Sequence, residues 1–266
     1  MAFYSNKIAV ITGAGSGIGR CLAVQLAQGG ARLALSDVNE AGLRETAALC
    51  DGAEVRCYRL DVSQREQMFD HAAQVQQDFG TAHFIFNNAG ITVAATFHNS
   101  TPEEIERVIG IDLYGVIWGS KAFLPMMLAQ REGHIVNISS IFGFVGFPAQ
   151  AAYNAAKFGV RGLNECLWRE LKGTGVKAVS VHPGGIKTNI GHGPVLGRNA
   201  GEVERRMLSG LDQLLVTPPE DCARAILDGV ERGRQRIVTG HLARLASWLP
   251  RLFPRQYVNL MEKMGM

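Results

Sequence analysis

Lys7-Ile8-Ala9-Val10-Ile11-Thr12 runs directly into Gly13-Ala14-Gly15-Ser16-Gly17-Ile18-Gly19, and this stretch decides the fold. The first six residues are mostly apolar and β-branched, the composition of a strand buried on both faces of a parallel sheet. The next seven include four glycines. Glycine accepts positive φ and lets the backbone come close to a ligand. Beyond Gly19, the residues Leu22, Val24, Leu26 and Ala27 carry a helical pattern. A strand, a glycine turn and a helix open a doubly wound α/β fold, and the free N–H groups at the helix start suit a pyrophosphate. A tight turn without a ligand is the alternative, although a plain turn does not need so many glycines. The spacing is Gly-x-x-x-Gly-x-Gly, not Gly-x-Gly-x-x-Gly.

Strand and helix signals then alternate. Strands are expected over Ala31–Ser36, Val55–Leu60, His83–Phe86, His134–Ser139, Lys177–His182 and Arg236–Thr239. Thr101-Pro102-Glu103-Glu104 is a capping box with proline at the first helical position. It should open one long helix running to about Leu128. A second long helix is expected from about Ala151 to Lys172. This order argues for a single α/β domain, a doubly wound parallel sheet with helices on both faces. Ligands of such sheets bind at the carboxyl ends of strands, where Asp37, Asp61, Asn88, Ser140 and Pro183 all fall. Asp37 lies 18 residues beyond Gly19, near the distance expected of a carboxylate that binds the adenosine ribose. It would repel a 2′-phosphate, and Val38 and Asn39 bring no compensating charge, so NAD is favoured over NADP. A solvated Asp closing a strand is the plainer reading.

Tyr153 and Lys157 are four residues apart, hence on one helical face, and Ser140 precedes Tyr153 by thirteen. An ammonium beside a phenol favours the phenolate and should lower the tyrosine pKa toward a range useful for proton transfer. Taken singly, Ser140 reads as a strand-end cap and Lys157 as a solvated helix charge. Their weight comes from sharing a chain with the glycine loop.

The 266 residues are 47% hydrophobic and 19% charged, which describes a folded globular chain rather than a disordered one. Neither a signal peptide nor a membrane-length apolar run is read from the sequence. Cys21, Cys50, Cys57, Cys166 and Cys222 are odd in number and scattered, as expected of reduced thiols in the cytoplasm. His182 and His192 lack a third ligand at sensible spacing, so no metal is expected. Nor is a nucleic-acid partner.

The net charge of +3 is uneven: from Glu231 onward, seven basic residues stand against two acidic ones. Leu242, Leu245, Trp248, Leu249, Leu252, Phe253 and Tyr257 lie among them. This tail, about 241–266, could cover an apolar pocket, touch a membrane surface, or pack as an ordinary helix on its own or a sister subunit. A lid is expected at about 187–215, on the strength of Gly191, Gly193, Pro194 and Gly197.

From Lys7 to about Thr188 the chain resembles the short-chain dehydrogenase/reductase family. Thr12 to Gly19 resembles that family's glycine motif, so Gly13, Ser16, Gly17, Ile18 and Gly19 would hold a pyrophosphate. Asn88-Ala89-Gly90 resembles the element beside the adenine side. Ser140, Tyr153 and Lys157 match the catalytic positions. Pro183-Gly184, Ile186 and Thr188 match the nicotinamide-side loop. The resemblance implies a Rossmann-like fold, NAD(P) binding, a homodimer or homotetramer built on the two long helices, and Asp61 and Val62 beside the adenine. One position departs: Asp112 stands where the family usually has an asparagine that helps hold a water on a proton path from the lysine. Asp112 could keep a catalytic role or only stabilise a local helix irregularity.

The activity implied is the interconversion of an alcohol and a ketone or aldehyde, the non-catalytic alternative being an NAD(H) sensor of the same fold. Phe142 and Phe147 are expected on the substrate side. Phe144 is a third candidate, and at least one of the three could instead pack in the core. Such walls suit a hydrophobic substrate.

Overall fold

In the computed structural model, which describes residues 2–188, 195–208 and 211–263, seven strands form one parallel sheet. They are β1 (Ile8–Thr12), β2 (Arg32–Asp37), β3 (Val55–Arg59), β4 (Phe84–Asn87), β6 (Gly133–Ile138), β7 (Val176–Gly184) and β9 (Arg236–Gly240). β5 (Val93–Ala94) and β8 (Val195–Leu196) make a separate parallel pair. The order across the large sheet is β3-β2-β1-β4-β6-β7-β9. The winding reverses between β1 and β4, which opens a crevice at their carboxyl ends.

All five residues of β1 are buried, because helices cover both faces. Ala9 and Ile11 join a core with Leu22 and Leu26 of α1 (Gly17–Gln28) and with Cys222 and Ile226 from a late helix spanning Pro219–Glu231. Ile8 and Val10 face the opposite core. There they meet Met68 and Val75 of a helix over Arg65–Phe79, Phe123 and Met127 of one over Gly115–Gln130, and Leu167 of one over Ala151–Glu170. In chain order the helices are α1, α2 (Glu40–Ala48), α3 (Arg65–Phe79), α4 (Pro102–Ile109), α5 (Gly115–Gln130), α6 (Ala151–Glu170), α7 (Glu202–Leu208), α8 (Leu211–Leu214), α9 (Pro219–Glu231), α10 (Ala243–Leu252) and α11 (Tyr257–Lys263). Among the described residues no helix is long and apolar enough to cross a membrane.

Two sequence expectations need correction. The long helix opened by the Thr101 capping box is not continuous: a π-helical turn, Gly110–Tyr114, separates α4 from α5. Such a turn widens the spiral by one residue and redirects side chains. β7 also continues through Pro183 to Gly184, because it still pairs with β9 there, Gly184 opposite Gly240. β6 ends opposite Val181, so Pro183 lies beyond the doubly paired ladder, where a missing N–H costs least.

Phe123 is fully buried between the sheet and the helices of its face. Phe123→Ala is expected to cost about 3–5 kcal/mol of stability, read as a lowered urea midpoint in equilibrium unfolding.

Candidate active site

The carboxyl ends of the strands open onto one cleft, whose lining includes Gly13, Ser16, Asp37, Tyr153, Lys157 and Thr188. Its first wall is the glycine loop. Gly13 has φ +66°, and a Cβ there would stand 2.7 Å from the Ala89 Cα. A Cβ on Gly19 would lie 2.2 Å from the Gly13 carbonyl oxygen. Helix and loop therefore meet backbone to backbone. Asn88 fixes this meeting: its amide donates to the carbonyls of Thr12 (3.0 Å) and Gly13 (3.1 Å). In return, the Thr12 hydroxyl accepts the N–H groups of Asn88 and Ala89. Asp37 closes the far side, its carboxylate accepting from the N–H groups of Gly15 and Asn39, each at 2.8 Å. Asp61 and Val62 line the cleft beside it, and Asp61 accepts bonds from the Ser63 hydroxyl and N–H. Ser16 is the N-cap of α1 but makes no side-chain cap bond, so its hydroxyl and the first N–H groups of the helix are available to an anion. These features fit a dinucleotide pyrophosphate.

The reactive groups gather where β6 ends. Ser140 leaves the strand in an extended conformation and its hydroxyl accepts the Phe142 N–H at 3.1 Å. The O–H remains a donor, and it helps to stabilise the Tyr153 phenolate. Tyr153 and Lys157 come from the first two turns of α6, with the Lys157 ammonium 5.3 Å from the Tyr153 ring centre. The ammonium also donates to the Ile138 carbonyl at 3.1 Å and pairs with Asp112 at 2.9 Å. Asp112 comes from the π-helical turn, is fully buried, and accepts the Ile91 N–H at 2.8 Å.

Burial is the largest influence on all three titrating groups. It pushes the Tyr153 phenol above its ordinary range, against the opposing pull of Lys157 and Ser140, and Asp112 adds to the rise. Burial opposes the charge on Lys157 as well, but Asp112 and Tyr153 together outweigh it and the ammonium is held above its usual range. The expectation that Lys157 alone brings the phenol down is thus corrected. Desolvation and the neighbouring carboxylate together exceed what one cation supplies.

Asn88, Ala89, Gly90, Pro183, Gly184, Ile186, Thr188, Phe142 and Phe147 also line the cleft with Gly17, Ile18 and Ser140. Gly19 and Asp112 stand outside it, the first behind the glycine loop and the second behind Lys157. Phe142 and Phe147 are stacked, ring centres 5.0 Å apart, and Phe142 meets Tyr153 edge-on at 6.0 Å. Phe144 is the core residue of the three, stacked on the buried His182 at 4.1 Å. Among the described residues no three His, Cys, Asp or Glu side chains cluster as metal ligands would, and all five cysteines are free.

Sequence reasoning did not single out Thr92, Gln150, Leu215 and Met261, which also line the cleft. Thr92 donates a hydrogen bond to the Gln150 side chain. Leu242, Ala246 and Met261 belong to the tail, for which pocket cover is one of three readings left open by the sequence. Gly191, His192, Gly193 and Pro194 of the expected lid lie outside the described residues. After them β8 pairs with β5, and the buried Glu204 of α7 accepts from Thr96, Asn99 and Gly201.

Such a sheet, with a glycine-lined cleft and a serine–tyrosine–lysine cluster at its strand ends, defines a Rossmann-like nucleotide-binding oxidoreductase. The model of the short chain dehydrogenase family matches residues 7–194, and the chain belongs to the short-chain dehydrogenase/reductase family. It is 44% identical over 265 residues to the putative oxidoreductase SadH of Mycobacterium tuberculosis, a match covering 98% of this chain and 95% of the relative. It is 31% identical to estradiol 17-beta-dehydrogenase 11 of Rattus norvegicus, covering 97% of this chain and 84% of that protein. Among solved structures, a short-chain dehydrogenase/reductase from Burkholderia phymatum in complex with NAD superposes with a TM-score of 0.87 at 32% identity. That match covers 98% of this chain and 97% of the other.

Asn88→Ala would leave the carbonyls of Thr12 and Gly13 without their side-chain donor. The expected loss is about 1–3 kcal/mol, measured by chemical denaturation of the ligand-free protein.

Proposed function

We propose that the protein is an NAD(H)-dependent oxidoreductase that interconverts a hydrophobic alcohol with its ketone or aldehyde. The observation that carries this reading is the convergence of Ser140, Tyr153 and Lys157 on the same cleft as the glycine loop. A bound nicotinamide dinucleotide supplies hydride exchange and, in its oxidised form, a positive charge. Gly13, Ser16, Gly17 and Ile18 would hold its pyrophosphate, Asp37 the adenosine ribose, and Asp61 and Val62 the adenine. Asn88, Ala89 and Gly90 would stand beside its adenine side, and Pro183, Gly184, Ile186 and Thr188 the nicotinamide side.

Tyr153 takes the hydroxyl proton in oxidation and returns it to the oxygen in reduction. Ser140 donates a hydrogen bond to that oxygen, where negative charge grows. An ammonium has three N–H donors. With Lys157 bonded to Ile138 and paired with Asp112, one donor is left for a ribose hydroxyl. Asp112 touches neither substrate nor cofactor in this reading; it positions Lys157 and sets its charge.

Two observations support NAD over NADP. Asp37 is fixed at the cleft by two backbone N–H groups. Arg20, the nearest cation in sequence to the loop, is committed to the carbonyls of Gly15 and Gly42 and to Glu45. The aromatic wall of Phe142 and Phe147, with Leu215 and Met261 opposite the polar groups, supports an apolar substrate, as does the likeness to a protein named for estradiol. A homodimer or homotetramer built on α5 and α6 belongs to the same reading, since Leu128 and Phe158 are exposed there. So does a lid in the 187–215 segment.

The test is turnover of a panel of secondary alcohols and ketones with NAD and NADP in parallel. NAD-linked turnover of apolar compounds is expected; cofactor binding without turnover of any compound would favour the non-catalytic sensor. Tyr153→Phe should lower kcat on the order of 10²- to 10⁴-fold and leave the NAD dissociation constant nearly unchanged.

Asp112→Asn removes a negative charge that opposes the phenolate of Tyr153, while Lys157 and Ser140 remain in place. The acid limb of kcat/KM for alcohol oxidation should therefore move to lower pH. A purely structural Asp112 would change stability and leave that limb where it is.

A further inference from the structure

We propose that the outward face of α10, with the turn that follows it, is a docking surface for an anionic lipid bilayer. α10 has two faces of different character. Leu242 and Ala246 line the cleft, and Leu249 packs with Phe144 and Met261 behind it. At helical spacing on the opposite side stand Arg244, Trp248, Arg251 and Leu252, all exposed, and Phe253 and Arg255 extend the patch. Trp248 is 55% exposed, Leu252 63% and Phe253 47%. The Arg251 guanidinium lies 5.9 Å from the Trp248 ring centre, so cation and indole share one site. Indole rings favour the depth of the lipid headgroups, and arginine stems reach far enough to keep their charge at the phosphates.

Charge decides between occupants. Glu165 lies close enough to Arg251 to feel it, but is already paired with Arg161 and Arg236. The patch thus keeps its positive excess. A second copy docked by a two-fold axis would set Arg244, Arg251 and Arg255 against themselves. An anionic membrane complements those charges and also takes up the exposed rings. Because the inner face of the same helix lines the substrate end, docking would bring that end close to the bilayer. This last consequence rests on the apolar-substrate reading; the docking does not.

The test is flotation of the full-length protein with phosphatidylcholine vesicles, with and without added phosphatidylglycerol. Binding is expected to the anionic vesicles, with release by high salt and a blue shift of tryptophan emission that Trp248→Phe removes. Arg244→Gln and Arg251→Gln should each weaken binding on the order of fivefold. A Trp248→Ser/Leu252→Ser variant should lose binding while keeping its circular dichroism and urea midpoint. No binding to anionic vesicles, or equal binding to both kinds, would overturn the proposal. So would a sedimentation shift to a smaller species in the serine variant without vesicle binding by the parent, which would assign the face to a second copy. No arm reads turnover, so failure here is separate from failure of the proposed chemistry.

Discussion

The site depends on one electrostatic balance, a buried ammonium and a buried carboxylate beside a half-buried phenol. Each would be costly alone in that place. Asp112 pairs with Lys157 at 2.9 Å and helps hold its ammonium above the usual range, and Lys157 in turn favours the Tyr153 phenolate. The carboxylate also works against the phenolate, so the pair gives Tyr153 less help than a lone lysine would. The net result leaves the phenol above its ordinary range.

The sheet presents these groups at its carboxyl edge, and Lys157 is tied to the end of β6 through the Ile138 carbonyl. Two cores on opposite faces of β1 and β4 hold the strands, and every reactive side chain lies past their carboxyl ends. Loop and sheet are joined on two sides: Asn88 bonds to the carbonyls of Thr12 and Gly13 at the β1 exit, and β2 accepts the N–H groups of Ala14 and Gly15 through Ser36 and Asp37. The glycines matter there for clearance as much as for φ, since a Cβ on Gly19 would meet a carbonyl oxygen. A loop packed so tightly against its neighbour leaves its remaining N–H groups facing the cleft.

Much of this was legible in the sequence, for physical reasons that differ from place to place. The buried run of β1 and its glycine turn are local features, and local chemistry fixes them. Tyr153 and Lys157 could be paired because helical spacing is regular. The π-helical turn was not legible: Gly110-Ile111-Asp112-Leu113-Tyr114 has ordinary helix-compatible composition, and only burial of Asp112 against Lys157 distinguishes it. Leu215 and Met261 were missed because nothing local marks a residue that reaches the cleft from far along the chain. The division of labour among Phe142, Phe144 and Phe147 was also hidden, since it is decided by His182 stacking on Phe144.

The π-helical turn and the aspartate are best understood together. An α-helix running straight from Thr101 to Gln130 would space side chains at a fixed 100°, and the wider turn alters which of them points at the sheet. Asp112 is turned fully inward, where it meets Lys157 and the Ile91 N–H, while Tyr114 at the end of the same turn stays exposed. A neutral amide at that position could satisfy the N–H equally well. It could not hold the ammonium above its usual range. The carboxylate therefore adds something that helix geometry does not require, a fixed charge on the lysine that persists as pH rises.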